Sequence, residues 1–357
     1  MSPAQFESST STRFCHSIRQ FGVFAVSFYS LHDFPSSEVQ SLVDRTLAIR
    51  GGAAPADLGE LALGLLFFNP SLRTQASFQR AAARLKLQLV QLQGGAVWSM
   101  ETEPATVMDG EAAEHVQEAA AVLSRYVDVL GIRAFPSGKS WEQDQRDPIL
   151  RAFMKYSDKP IINMESCLWH PCQALADWAT LDQLQVPKRE KFVLSWSWHP
   201  KALPHAVPNS TLCMAAQRGM DVVLLHPPEF ALQDSILEEA ERLASENGGS
   251  LQISHDRKQA LAGAKVVYAK SWGSLDAWHD SQEEAKLRSP YRHWCLHLKD
   301  LSPKTRFFHC LPIRRNVVAA DDILDSPQSA VIEQAENRLH AQTAVLEKLL
   351  TPEFCHA

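Results

Sequence analysis

A chain of 357 residues is long for one core and favours two domains. Hydrophobic residues at 45% and charged residues at 21% describe an ordinary globular protein, and a net charge of -6 argues against nucleic acid or an anionic membrane as the main partner without forbidding a local basic pocket. Seven cysteines with no CxxC pair suit reduced thiols in a cytoplasm rather than a disulfide framework, and no run of about twenty apolar residues marks a transmembrane helix.

In chain order, residues 1–27 are rich in Ser and Arg, with Glu7 the one acidic residue, and read as an N-terminal extension, either a transit-like leader or, more plainly, a disordered tail. Leu61–Phe68 is a continuous apolar run that predicts a buried strand, followed by a helix from Thr74 to Leu85 and a strand in "LQLVQL" at 87–92. Thr106 with Asp109 three residues on has the form of a capping box and predicts a helix from there through Tyr126. "VDVLGIRAF" and "PIINME" read as further buried strands, and Pro171–Leu184 as a helix. "VPKREK" at 186–191 is the expected joint between a domain spanning 28–185 and one spanning 186–332. Beyond it, strands are expected in "KFVLSWSW", "MDVVLLHP", "LQISH", "KVVYAKSW" and "RFFHCLP", and helices at 209–219, 234–247 and 257–263. A last helix at 333–350 has no strand after it and is free to pack back on the first domain. Alternating strands and helices, with strands that do not alternate in polarity, predict an α/β fold of two doubly wound domains, each a parallel sheet flanked by helices.

In such sheets ligands bind beyond the carboxyl ends of the strands. The polar residues expected there are Ser71, Arg73 and Thr74; Arg133; Glu165, His170 and Gln173; His199 and Lys201; Lys270; and His309, Cys310, Arg314 and Arg315. A cation-rich set in an acidic protein points to an anionic small molecule. "SLRT" at 71–74 offers unpaired backbone N–H groups at a helix N-terminus, two hydroxyls and a guanidinium, which together make a phosphate site; read alone it is equally a plain Ser cap beside an exposed Arg. No GxxxxGK[ST] or GxGxxG motif accompanies it, so nucleotide binding is a poor reading. "HPC" at 170–172 and "HC" at 309–310 match no common structural zinc spacing, so no metal and no cofactor is expected. Cys167, Cys213 and Cys295 read as packing residues.

"FFNPSLRT", "HPCQ" and "HCLP", in this order, resemble the aspartate/ornithine carbamoyltransferase superfamily, whose phosphate motif is Ser-x-Arg-Thr-Arg. Further stretches ("TVMDG", "IRAFP", "INME", "HPK", "VVYAKSWG", "HCLPIRRN", "EAENRLH") look most like the branch acting on N-acetylornithine. The resemblance implies that Ser71, Leu72, Arg73, Thr74 and Arg133 hold the phosphate of carbamoyl phosphate, and that Arg133 and His170 polarise the carbonyl oxygen. It implies that Gln173 and the carbonyls of Cys310 and Leu311 hold the carbamoyl NH2, with Arg314 completing the pocket. Glu165 and Lys270 are implied to bind the acylornithine, Lys270 answering its free carboxylate. Trp98 is implied to reach in from a neighbouring subunit of a homotrimer. Glu101, placed by counting back from "TVMDG", would repel a succinyl carboxylate and so favours an acetyl group. Three positions depart from the expected wording: Gln75 in place of a second Arg, Pro204-His205 in place of Asn-Thr, and Val318 in place of a Lys, the last implying a less basic pocket rim. The alternatives are a succinylornithine enzyme and a silent carbamoyl phosphate-binding paralogue.

Overall fold

The structure, a computed structural model, describes residues 26–93 and 99–351. The expected extension lies outside the described residues up to position 25; the chain joins the fold at Ser27, whose Oγ accepts the N–H of Ile161, and at Phe28, which bridges to Ile162.

The first unit opens with α1 (Ser36–Arg50) and then β1 (Ala62–Phe67), α2 (Leu72–Arg84) and β2 (Gln88–Gln93). A small ribbon of β3 (Met100–Glu101) and β4 (Glu114–His115) leads into α3 (Val116–Tyr126), β5 (Val129–Arg133), α4 (Trp141–Asp144), α5 (Pro148–Tyr156), β6 (Ile161–Glu165) and α6 (Pro171–Gln183). Its sheet runs β2-β1-β5-β6, all parallel. β1 and β5 are buried almost throughout, which is why their sequences are unbroken apolar runs. Gly64 and Gly131 sit where neighbours come too close for a side chain: an added Cβ would lie 2.7 Å from Leu130 Cδ1 at the first and 3.0 Å from Met164 Sδ at the second.

The second unit holds β7 (Lys191–Trp196), α7 (Ala206–Gln217), β8 (Asp221–Leu225), α8 (Asp234–Glu246), β9 (Ser250–Ser254), α9 (Arg257–Leu261), β10 (Val266–Lys270), α10 (Ser281–Arg288), β11 (Arg306–Phe308) and α11 (Asp321–Leu324). Its parallel sheet runs β11-β10-β7-β8-β9. The last helix, α12 (Val331–Leu350), packs on α1, α2 and α6.

One expectation fails. The Thr106 capping box does not open a helix; α3 begins ten residues later, capped by the His115 side chain, which accepts the N–H of Gln117 at 3.0 Å. Thr106 instead donates its hydroxyl to the Glu103 carbonyl, and residues 105–110 are exposed. A helix there would bury nothing, so capping chemistry alone does not nucleate one.

In each sheet the strand order reverses once. In the first, β1 leads to β2 on one side and has β5 on the other; in the second, β7 leads to β8 on one side and has β10 on the other. Crevices open at the carboxyl ends of strands flanking such a reversal. Ser71 follows β1, Arg133 ends β5, and Lys270 ends β10.

Candidate active site

The site begins at the first turn of α2. Ser71 is extended, and its Oγ accepts the Thr74 N–H at 3.3 Å. No acidic residue occupies that turn, so the positive end of the helix is left open to an outside anion. The Leu72 side chain is 82% exposed, so only its backbone N–H can serve an anion. Thr74 is buried, and its Oγ1 accepts from Arg338 Nη2 at 2.7 Å. Arg73 has a buried Nε with no partner, and burial, with the nearby Arg133 charge, draws its pKa down.

Arg133 pairs with the Glu165 carboxylate and lies over the Phe135 ring at 4.4 Å. His170 ends the loop before α6, where Pro171 takes the first helical position. Its N–H donates to Ser210 Oγ of α7 at 2.8 Å, which ties the two units together at the site. Its Nε2 stands 3.7 Å from Glu165 Oε2, and its Nδ1 is buried with no partner. Burial, then the charges of Arg338, Arg133 and Lys270, hold its pKa well below the ordinary value, so the ring is neutral near pH 7. Gln173, one turn on, donates its amide to Asp177 at 2.7 Å and keeps Oε1 unpartnered.

From the second unit, Lys270 is buried at the end of β10 with no carboxylate partner among the described residues. Arg314 donates from Nε to His199 Nε2 at 3.1 Å. Leu311 adopts φ 53°, a strained conformation for a branched side chain, and its N–H donates to His309 Nδ1 at 2.9 Å. Burial raises the pKa of Cys310, which keeps it a thiol. Arg288, paired with Glu284, donates to Ser271 Oγ, Trp272 O and His199 O, and so braces the loop after Lys270.

The structure thus gathers Arg73, Arg133, Glu165, His170, Lys270 and Cys310 within electrostatic reach of one another. Arg338 of α12 belongs with them: it is buried, its Nε is unpartnered, and it feels Glu165, Arg133 and Arg73. A search of strand ends passes over it because it lies on a helix 264 residues from Thr74; its one signal was the stretch "EAENRLH".

Other expected residues lie elsewhere. Glu101 sits in the β3–β4 ribbon, where its carboxylate accepts the backbone N–H groups of Thr102 and Glu103 and is held below the usual carboxylate range by them. Among the described residues, none of its partners belongs to the cation cluster. Arg315 is spent on Asp321 and Asp325 at the surface. Val318 is buried. Lys201 is exposed, and Cys295 is half-buried rather than fully packed. His205 is buried between Trp141 and Trp278 and hydrogen-bonds through Nε2 to the Gly273 carbonyl at 2.9 Å, so it supports the loop after Lys270. Trp98 lies outside the described residues.

Comparison with known proteins agrees with this geometry. Residues 27–183 match the model of the aspartate/ornithine carbamoyltransferase carbamoyl-P binding domain, and residues 205–349 that of the Asp/Orn binding domain. The chain is 42% identical over 330 residues to an N-acetylornithine carbamoyltransferase of Xanthomonas campestris pv. campestris, covering 90% of this chain and 97% of that one. It is 35% identical over 291 residues to an N-succinylornithine carbamoyltransferase of Bacteroides thetaiotaomicron, covering 81% and 87%. A crystal structure of acetylornithine transcarbamylase complexed with acetylcitrulline superposes with a TM-score of 0.88 at 42% identity, covering 90% of this chain and 98% of that chain.

Proposed function

The chain belongs to the aspartate/ornithine carbamoyltransferase family, and from that premise we propose that it transfers the carbamoyl group of carbamoyl phosphate to the δ-amine of N2-acetyl-L-ornithine, releasing N-acetylcitrulline and phosphate in arginine biosynthesis. The observation that carries the reading is the convergence of Arg73, Arg133 and Arg338 at the open N-terminus of α2, with a neutral His170, the free Oε1 of Gln173 and, near His170 and Cys310, the Lys270 cation.

The phosphate sits on the first-turn N–H groups of α2, with Ser71, Arg73, Thr74, Arg133 and Arg338 around it. Arg133 and His170 donate to the carbonyl oxygen, where negative charge grows as the amine attacks. A neutral imidazole suits this task, since it donates one N–H and holds its proton throughout. The carbamoyl NH2 has two N–H donors, and Gln173 Oε1 with the carbonyls of Cys310 and Leu311 accept them. Arg314 completes the pocket. Glu165 and Lys270 hold the acylornithine, Lys270 through its carboxylate.

The amine must be neutral to attack. At an ordinary pKa of about 10.4 roughly one molecule in a thousand is neutral near pH 7.4, a cost of about 4 kcal/mol. The same cations that bind phosphate repel the ammonium form and so lower that cost. The tetrahedral intermediate collapses with loss of phosphate, which takes the proton from the amine as it leaves.

Acetyl is favoured over succinyl by the higher identity to the acetylornithine relative. Glu101 and Trp98 act, in this reading, on the site of a neighbouring subunit in a homotrimer, and the free thiols of Cys167, Cys172, Cys213, Cys295 and Cys310 suit a cytoplasmic enzyme. A colorimetric citrulline assay with carbamoyl phosphate and ornithine, acetylornithine or succinylornithine tests the substrate. Product from acetylornithine is expected; product from succinylornithine in its place reverses the acyl assignment, and none from any acceptor leaves a silent carbamoyl phosphate binder. The same preparation, sized by light scattering, should be a trimer; a fully active monomer would remove Trp98 and Glu101 from the site.

A further inference from the structure

Asp177 is a buried carboxylate that the mechanism above does not use. It is wholly inaccessible, lies one helical turn after Gln173 on α6, and accepts two amides on a single oxygen. Gln173 Nε2 and Gln334 Nε2 each donate to its Oδ1 at 2.7 Å, while its Oδ2 has no hydrogen-bond partner. Gln334 comes from α12, and its own Oε1 accepts the His309 N–H at 2.9 Å.

This arrangement settles which way both amides face. A carboxylate oxygen without a proton only accepts, so each glutamine must present its NH2 to Asp177 and its carbonyl oxygen away from it. For Gln173 that leaves Oε1 buried and unpartnered. For Gln334 it leaves Oε1 to hold the first residue of the 309–311 loop. Burial raises the Asp177 pKa to about 7, against the Gln334 and Gln173 amides, the nearby Tyr268 hydroxyl and the Arg338 charge, which lower it. A proton on Oδ2, with Tyr268 beside the carboxyl, leaves Oδ1 to accept both amides.

We propose that Asp177 is a positioning residue for the carbamoyl group: it locks the Gln173 amide with its carbonyl toward the carbamoyl nitrogen and, through Gln334, fixes the loop carrying the Cys310 and Leu311 carbonyls. A flipped Gln173 would set NH2 against NH2, two donors with no acceptor between them, at a buried position. A single acceptor thus sets the polarity of acceptors drawn from α6 and from the 309–311 loop. The inference rests on the Gln173 role proposed above, and the test separates the two.

The test is a two-by-two cycle of Asp177→Ala and Gln173→Ala, read as kcat/KM for carbamoyl phosphate at saturating acetylornithine. Asp177→Ala alone should lose about 10–100-fold, and adding it to Gln173→Ala should cost less than about threefold more, because the group it orients is already gone. Equal losses in the two backgrounds would overturn the proposal and leave Asp177 a packing residue. If Gln173→Ala by itself changes nothing, the Gln173 role fails, which is a different outcome from additivity. A rescue pair covers the case in which Asp177→Ala does not fold. Gln173→Glu sets two carboxylates against each other and should lose at least about 100-fold. Adding Asp177→Asn turns the shared position into an NH2 that donates to Glu, relieves the charge clash at the expense of the Gln334 contact, and should restore at least about tenfold. Absence of recovery would count against a positioning role.

Discussion

His170 owes its usefulness to what surrounds the ring. A histidine in water is half-protonated near pH 6.5, but burial and the charges of Arg338, Arg133 and Lys270 hold this one neutral. Its protonation therefore contributes no inflection to catalysis between about pH 6 and 8, and the acid limb of the rate belongs to the substrate ammonium. kcat/KM for acetylornithine should rise with pH toward the amine pKa, with no break near 6.5; a break there that vanished in a His170 variant would contradict the assignment. Steady-state kinetics of His170→Ala should show kcat lower by about 100–1,000-fold, the usual cost of one donor to a developing oxyanion, or about 3–4 kcal/mol. His170 was legible in "HPCQ" because it stands at a strand end before a helix. Arg338 was not read as a site residue, because its neighbours in space are hundreds of residues away in sequence, and "EAENRLH" marks a resemblance without saying that the cation is buried.

At the scale of elements, the proposed phosphate grip draws on α2 and α12 together. α2 supplies N–H groups and hydroxyls, and its first turn lacks the acidic residues that would ordinarily quench the dipole. α12 supplies a guanidinium whose donation to Thr74 Oγ1 fixes that hydroxyl from behind. Arg338→Ala should raise the KM for carbamoyl phosphate by about 10–100-fold, the value of a charge-assisted hydrogen bond of about 1.5–3 kcal/mol. It should also shrink the rise in melting temperature that carbamoyl phosphate confers on the parent; an undiminished rise would place Arg338 outside the grip. The elements themselves were readable where burial and periodicity agreed, as in β1 and β10, both enclosed on two faces. They were misread where a capping signal had no apolar face behind it, as at Thr106. Gln75, the departure from the family motif, makes no side-chain hydrogen bond among the described residues.

For the whole molecule, the buried titratable groups set how the fold responds to acid, and their signs differ. His170, His205, His226 and His309 all have pKa values drawn down first by burial, His205 and His226 to about 4. An unfolded chain binds protons at these rings below about pH 6.5 while the native chain does not, so stability is complete above that pH and falls as pH drops toward the folded values. His205 and His226 each contribute a loss of about 3 kcal/mol across that interval. Asp177 works the other way: its pKa is raised to about 7, so the native state holds a proton the unfolded state releases above about 3.9, and acidification from 7 downward favours folding by about 4 kcal/mol. Asp147, raised by burial, works in the same direction as Asp177, but four histidines outweigh these two aspartates, so the net slope below pH 6.5 is destabilising. The urea midpoint followed by circular dichroism should therefore fall steadily from pH 6.5 to 4.5, and His205→Asn should flatten part of that fall. Asp177→Asn should steepen it, because a buried group that gains from acid is gone while Asp147, whose carboxyl burial also raises, remains. A midpoint indifferent to pH across this range would mean that these rings take up protons in the native state, and with them the neutral His170 on which the chemistry depends.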